Sequence, residues 1–236
     1  MIAEQIFLTF SNLFFVPPIF ASIWKHRILF FIITLFVFVD STLYHLSSNP
    51  EDIKNVFGVD PSTTPGVIDW KMDKTSALFL LFSDFASSNI GFIIFIAILS
   101  PKSNYNNTYI ITISGIIIYL LTILITGATN SSTADPFQIY YIFPIVSAYN
   151  IFVYLISFIH YKYYLKLSVL DYYKHNFIRF WLILAICCII IGALCWTTIQ
   201  NIFPSTYFYI HGCWHIFAGL ALTFAILSDE TYVNIK

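Results

Sequence analysis

Long runs of apolar residues dominate this sequence of 236 residues, and each run has about the length that crosses a membrane. A helix needs about 20 predominantly apolar residues to span the hydrocarbon core of a bilayer. Hydrophobic residues make up 58% of the chain and charged residues only 10%, whereas soluble domains carry about 25% charged residues. The sequence therefore predicts an all-α integral membrane protein. The plasma membrane, an endomembrane and an organellar inner membrane all remain open.

Seven membrane spans are predicted, and together they form one transmembrane domain over residues 1–236. The spans are 6–24, 28–46, 75–99, 108–127, 137–159, 178–199 and 207–227. Lysine and arginine concentrate on the cytoplasmic side of membrane proteins. Eight of the 11 basic residues flank one side of the bundle, and the other three lie in the connection between the second and third spans. The N-terminus is therefore expected outside and the C-terminus inside.

The net charge and the spacing of the cysteines indicate which kinds of partner to expect. The net charge is -1, and the chain has none of the basic patches that bind nucleic acid. The four cysteines lie in apolar runs without a CxxC pair, where a free thiol behaves as a small hydrophobic residue. The expected partners are therefore membrane lipids and, for a subunit role, other proteins of a larger membrane complex.

Several ionisable residues inside the predicted spans need an explanation, and they are Asp40, His45, Asp84, His211 and His215. A carboxylate at the centre of a membrane helix costs roughly 2.5–3.5 kcal/mol on insertion scales. With the N-terminus outside, the second span runs outward and ends near His45, while the seventh runs inward and begins near His211. At 1.5 Å per residue, Asp84 lies about 14 Å below the outer edge of the third span. Three helices thus bring three histidines and one carboxylate into one outer layer.

This set of side chains predicts a zinc site of the catalytic type. Three histidine nitrogens bind Zn²⁺ and leave a fourth position for water, so His45, His211 and His215 are the expected ligands. Asp84 is expected to orient that water and take its proton, since zinc lowers the pKa of bound water towards about 7. Ser41 lies one helical turn before His45 and is expected to orient the water or to stabilise an oxyanion.

Each of these residues also has a structural interpretation when it is taken alone. His45 can be a hydrogen-bonded core histidine, Asp84 a partner in a helix–helix hydrogen bond, and Ser41 a hydroxyl bonded to its own helix. Asp40 lies about 140° around the helix from His45 and is interpreted as a structural residue. Haem fits less well than zinc, because two histidines on one helix face cannot supply opposite axial ligands.

These residues also resemble a known family signature. The sequence STLYH at 41–45, Asp84 in the third span and the pair His211 and His215 in the seventh are similar to the signature of the CREST superfamily. This superfamily of seven-helix membrane proteins includes alkaline ceramidases and the adiponectin and progestin receptors. The segments SNLFFVPPIFASIWKHR and LFSDFASSNIGF look most like its myomaker-like branch. The resemblance implies zinc held by the three histidines, with Asp84 and Ser41 on the metal-bound water.

Two classes of function follow from the sequence. The first is a zinc-dependent lipid hydrolase that cleaves an acyl amide or ester of a ceramide-like or phospholipid-like substrate. The second is a protein without catalysis, either a scaffold subunit whose zinc joins the helices or a myomaker-like fusion or receptor protein. Asp84 and Ser41 favour the first class, because a purely structural zinc is closed by four protein ligands.

Overall fold

The computed structural model describes residues 2–47, 89–101, 106–129, 138–196 and 207–230. Within these ranges the chain is helical apart from short turns, and the one isolated pairing of extended backbone joins Phe177 to Asp229. Three of the described helices are long and apolar enough to cross a membrane, Ile6–Trp24, Ile28–Leu46 and Phe208–Ser228. The expected all-α architecture is confirmed for this part of the chain, and its helices are those of an integral membrane protein.

The helices follow the predicted spans closely. They are α1 Ile2–Ser11, α2 Val16–Trp24, α3 Ile28–Ser47, α4 Asn89–Leu99, α5 Asn106–Thr129, α6 Gln138–Ile159, α7 Val169–Asn176, α8 Arg179–Leu194 and α9 Tyr207–Ser228. A 3-10 turn, Asn12–Phe15, joins α1 to α2 within the first span, and a π-helical turn, His160–Tyr164, follows α6. The third predicted span is described only from Asn89 onward. The count of seven spans and the orientation of the termini stay predictions.

The first span changes its helical geometry because of two consecutive prolines. Pro17 and Pro18 lie in the first turn of α2 and have no N–H group. The carbonyls of Leu13 and Phe14, four residues earlier, therefore lose their usual helical donors. The backbone N–H of Val16 donates to the carbonyl of Leu13, which tightens this stretch into a 3-10 turn. Membrane helices tolerate prolines when such local adjustments and neighbouring helices satisfy the freed carbonyls.

Glycines of α9 allow this helix to approach the first span closely. A Cβ atom at Gly219 would overlap the carbonyl oxygen of Phe14, and one at Gly212 would collide with the ring of Phe7. The carbonyl of Phe14 is one of the two that the prolines leave without a helical donor. Gly219 thus lets the backbone of α9 lie against the first span at the carbonyl of Phe14, which has no helical donor.

The chain forms two compact units. Unit one contains Met1–Ser88 and Leu184–Thr223, and unit two contains Asn89–Ile183 and Phe224–Lys236. The boundary between the units falls inside α8 and α9.

In unit two, tyrosines of α7 satisfy the last carbonyls of α4. The hydroxyl of Tyr173 donates to the carbonyl of Leu99 at 2.7 Å and lies 3.0 Å from the hydroxyl of Tyr154. The hydroxyl of Tyr172 donates to the carbonyl of Ser100 at 3.4 Å. Burial, together with the hydrogen bond to Tyr154, raises the pKa of Tyr173. The hydroxyl therefore stays protonated and remains a donor across the physiological pH range.

Replacing Gly219 by alanine is expected to destabilise unit one. The new methyl group meets backbone atoms of the first span, which cannot rotate away, so we expect a loss of about 1–3 kcal/mol as in other overpacked cores. Gly192→Ala is the matched control, because its Cβ would meet only side-chain atoms of Trp214 and Phe217 at 3.2 Å or more. Thermal unfolding of the purified proteins measures the difference. Equal Tm values for Gly219→Ala and the native protein would contradict the close backbone contact.

Replacing Tyr173 by phenylalanine is expected to weaken the packing of α4 against α7. The change removes the hydroxyl donor of a part-buried hydrogen bond to the carbonyl of Leu99, and the loss of such a bond costs about 0.5–1.5 kcal/mol. Tyr163→Phe is the control, since 64% of Tyr163 is exposed. Hydrogen exchange of the amides in α4 and α7 should accelerate in Tyr173→Phe alone. Unchanged exchange in that variant would show that this hydrogen bond does not hold the two helices together.

Candidate metal centre

Three buried histidines converge inside unit one. His45 lies in the last turn of α3, and His211 and His215 lie one turn apart in the first half of α9. Each histidine is only 2% exposed. One ring nitrogen from each lies within 4.8 Å of those of the other two. The expected convergence of these side chains, here called the histidine cluster, is confirmed.

Helix geometry explains why two of the three histidines lie together. His211 and His215 are four residues apart and therefore share one face of α9, and their ring centroids are 4.7 Å apart. His45 comes from 170 residues before His215 and completes the cluster from a different helix. Its ring centroid lies 5.2 Å from that of His211 and 4.7 Å from that of His215. The rings meet edge-on or tilted.

One distance within the histidine cluster matches the spacing of two ligands on a tetrahedral metal ion. Nε2 of His45 lies 3.3 Å from Nε2 of His215. Two nitrogens bound at 2.0–2.1 Å to one tetrahedral ion are themselves about 3.3–3.4 Å apart. Among the residues that the structure describes, no fourth histidine, cysteine or carboxylate joins the cluster. The described donor set is therefore three imidazole nitrogens, which can hold a metal ion.

Ser41 and Asp40 are also buried on α3. Ser41 is 2% exposed and precedes His45 by one helical turn, on the same face of the helix. Asp40 is 7% exposed. The burial of Ser41 is the observed property, and both its place beside the ligands and its chemical role stay predictions. Asp84, the expected proton acceptor, lies outside the described residues.

The sequence interpretation missed Ser11, the last residue of α1. Its Oγ lies 3.0 Å from Nδ1 of His215 and donates a hydrogen bond of 2.5 Å to the carbonyl of Leu8. Ser11 is 3% exposed, so water does not compete for these contacts. The signal in the sequence is the polar pair Ser11 and Asn12, which interrupts an apolar run before the two prolines. Membrane helices often contain such serines bonded to their own backbone, so the pattern alone does not mark the residue.

Aromatic rings surround the cluster on several sides. The ring centroid of Tyr44 lies 4.8 Å from that of His45, and the centroid of Trp196 lies 5.2 Å from that of His211. The Phe15 ring lies 6.1 Å from that of His215. In a chain with 19% aromatic residues, these positions carry no distinguishing sequence signal. Their rings keep bulk water away, which strengthens electrostatic interactions at the site.

A comparison with known protein families places the chain in one of them. Residues 1–216 match the sequence profile of the family described as "Protein of unknown function (DUF3522)". No match was found among the curated proteins. The matched region includes every residue of the histidine cluster as well as Ser11 and Ser41. Because the match covers most of the chain, this protein belongs to the DUF3522 family.

Proposed function

We propose that this protein is a zinc-dependent lipid hydrolase of the membrane, which cleaves an acyl amide or ester with water. The observation that carries the proposal is the histidine cluster, which brings three buried imidazoles together in a chain with membrane-spanning helices. Imidazole nitrogens suit zinc, and three protein ligands are the usual set of a catalytic zinc, whereas structural zinc has four. The resemblance to the CREST superfamily supports the same ion and the same class of reaction.

His45, His211 and His215 would hold the zinc ion, which would supply a Lewis acid and lower the pKa of a bound water towards about 7. Asp84 takes one proton from the attacking water molecule, whose oxygen forms the new bond to the carbonyl carbon of the substrate. Asp84 then gives the proton to the departing nitrogen or oxygen when its bond to the acyl carbon breaks. The products are a fatty acid and an amine or an alcohol. Ser41, on the face of α3 that carries His45, donates a hydrogen bond to the developing oxyanion.

The exposed surfaces of the first span and of α3 favour a lipid substrate. The first span and α3 expose large apolar side chains, including Phe10, Phe20, Trp24 and Phe36. Such surfaces are solvated by acyl chains in a membrane. A ceramide-like amide and a phospholipid-like ester both present an acyl carbonyl at the end of a hydrocarbon chain. Both are therefore candidate substrates.

The second candidate is a scaffold in which the metal only joins α3 to α9. The near-complete burial of all three histidines favours it, because a structural metal needs no access for a substrate. The two candidates differ in what they require of Asp84. A hydrolase needs a carboxylate there to accept a proton, and a scaffold does not.

The proposal predicts that the purified protein carries about one zinc ion per chain. The double variant His211→Ala/His215→Ala should lose the zinc and unfold at a lower temperature, since metal binding stabilises the folded state that forms the site. His160→Ala is the control, because His160 lies outside the cluster and is exposed. Elemental analysis and thermal unfolding measure both effects. Full zinc occupancy in the double variant would rule out the histidine cluster as the site.

Hydrolysis is tested by Asp84→Asn. An amide cannot take the proton of water, so turnover should fall by about 10²–10⁴-fold while zinc is retained. Ser41→Ala should lower turnover with the fold intact. Asp171→Asn is the control, because Asp171 lies on the exposed surface of α7. The measurement is the release of fatty acid from ceramide and phospholipid in reconstituted membranes. Identical free fatty acid, lyso-lipid and sphingoid-base levels for the native protein and Asp84→Asn would support the scaffold instead.

A further inference from the structure

We infer that Ser11 is a positioning residue of the metal centre, which holds the proton of His215 on Nδ1 and so presents Nε2 to the metal. This inference rests on the proposed metal site and adds a residue from the first span to it. The residue acts through His215 and does not itself reach the metal.

The proton count of the hydroxyl sets the direction of the hydrogen bonds. A serine hydroxyl has one proton and two lone pairs. Ser11 uses its proton on the carbonyl of Leu8, at 2.5 Å. Only lone pairs of Oγ are then left for His215, whose Nδ1 lies 3.0 Å away. Nδ1 of His215 must therefore be the donor and carry the proton of the neutral ring.

The tautomer of His215 decides which nitrogen can bind a metal. A neutral imidazole with its proton on Nδ1 has its lone pair on Nε2. Nε2 of His215 is the atom that lies 3.3 Å from Nε2 of His45, on the side of the ring that faces the cluster. A hydrogen bond to the second nitrogen commonly fixes the tautomer and the ring orientation of a metal-binding histidine. Ser11 performs this role with a hydroxyl that its own helix has oriented.

Burial makes the contact difficult to replace. Ser11 is 3% and His215 is 2% exposed, so water has little access to Nδ1 if the hydroxyl is removed. Removing the hydroxyl takes one acceptor from the His215 ring and leaves it the carbonyl of Leu8, which the hydroxyl of Ser11 no longer occupies. The ring of His215 can then turn towards that carbonyl or move its proton to Nε2. Either change removes the lone pair from the metal position.

The first test is the tautomer of His215 in the metal-free native protein. Nitrogen-15 NMR of protein labelled at histidine distinguishes a protonated Nδ1 from a protonated Nε2, and His215→Ala identifies the signals of that ring. We expect the proton on Nδ1. A proton on Nε2 of His215 in the native protein would overturn the inference without any variant at Ser11.

The second test is the zinc affinity of Ser11→Ala, measured by competition with a chelator. Loss of a hydrogen-bond partner behind a histidine ligand weakens metal binding by about 10–100-fold, and we expect a loss in that range. Ser22→Ala is the matched control in the same span. Ser22 is 0% exposed, and its Oγ has no hydrogen-bond partner among the described residues, so its zinc affinity should equal that of the native protein.

The outcomes separate this inference from the proposed function. Native zinc affinity in Ser11→Ala, or equal losses in Ser11→Ala and Ser22→Ala, would show that the hydroxyl of Ser11 has no specific role. A native protein that binds no zinc would overturn the proposed metal site. The tautomer of the metal-free protein would still decide whether Ser11 orients His215.

Discussion

A polar group buried among apolar helices must find a partner, and this requirement governs the described part of unit one. Unpaired, a buried nitrogen or oxygen loses its hydration without compensation. The three imidazoles of the histidine cluster meet this demand together, with Nε2 atoms of His45 and His215 at 3.3 Å. A shared metal ion, as proposed, would satisfy all three rings at once. The remaining helix packing has to bring α3 and α9 close enough for this to occur.

The first span contributes to the site through its irregularity. Pro17 and Pro18 prevent a continuous α-helix, and Gly219 of α9 packs where the carbonyl of Phe14 is left without a helical donor. Ser11 ends α1 just before this change of geometry, and its Oγ contacts His215. The first span therefore contacts α9 at two places along its length. One contact is between backbones, and the other is a hydrogen bond to a ring of the cluster.

The chemistry of the histidine cluster depends on the ion it binds and on the polar side chains beside that ion. Three imidazoles make a donor set without charge, so a divalent ion bound there would keep its full positive charge. Such a charge polarises a carbonyl or a water far more strongly among aromatic rings than in bulk solvent. Ser41 is buried one turn from His45, and Asp84 is the carboxylate that the proposed reaction requires. The proposed hydrolase requires Asp84 as a proton acceptor, whereas the scaffold does not.

The sequence by itself determined the helices and the pairing of His211 with His215, because hydrophobic length and the helical repeat are local properties. Predicted spans such as 28–46 and 207–227 agree with α3 and α9 within one residue at each end. The order of the spans also predicted that the end of α3 meets the beginning of α9, where His45 lies close to His211 and His215. Only the tertiary structure decided that its ring turns towards α9 and that Ser11 contacts His215. Both depend on how each helix is rotated about its axis, which side-chain packing sets and the helical repeat leaves free.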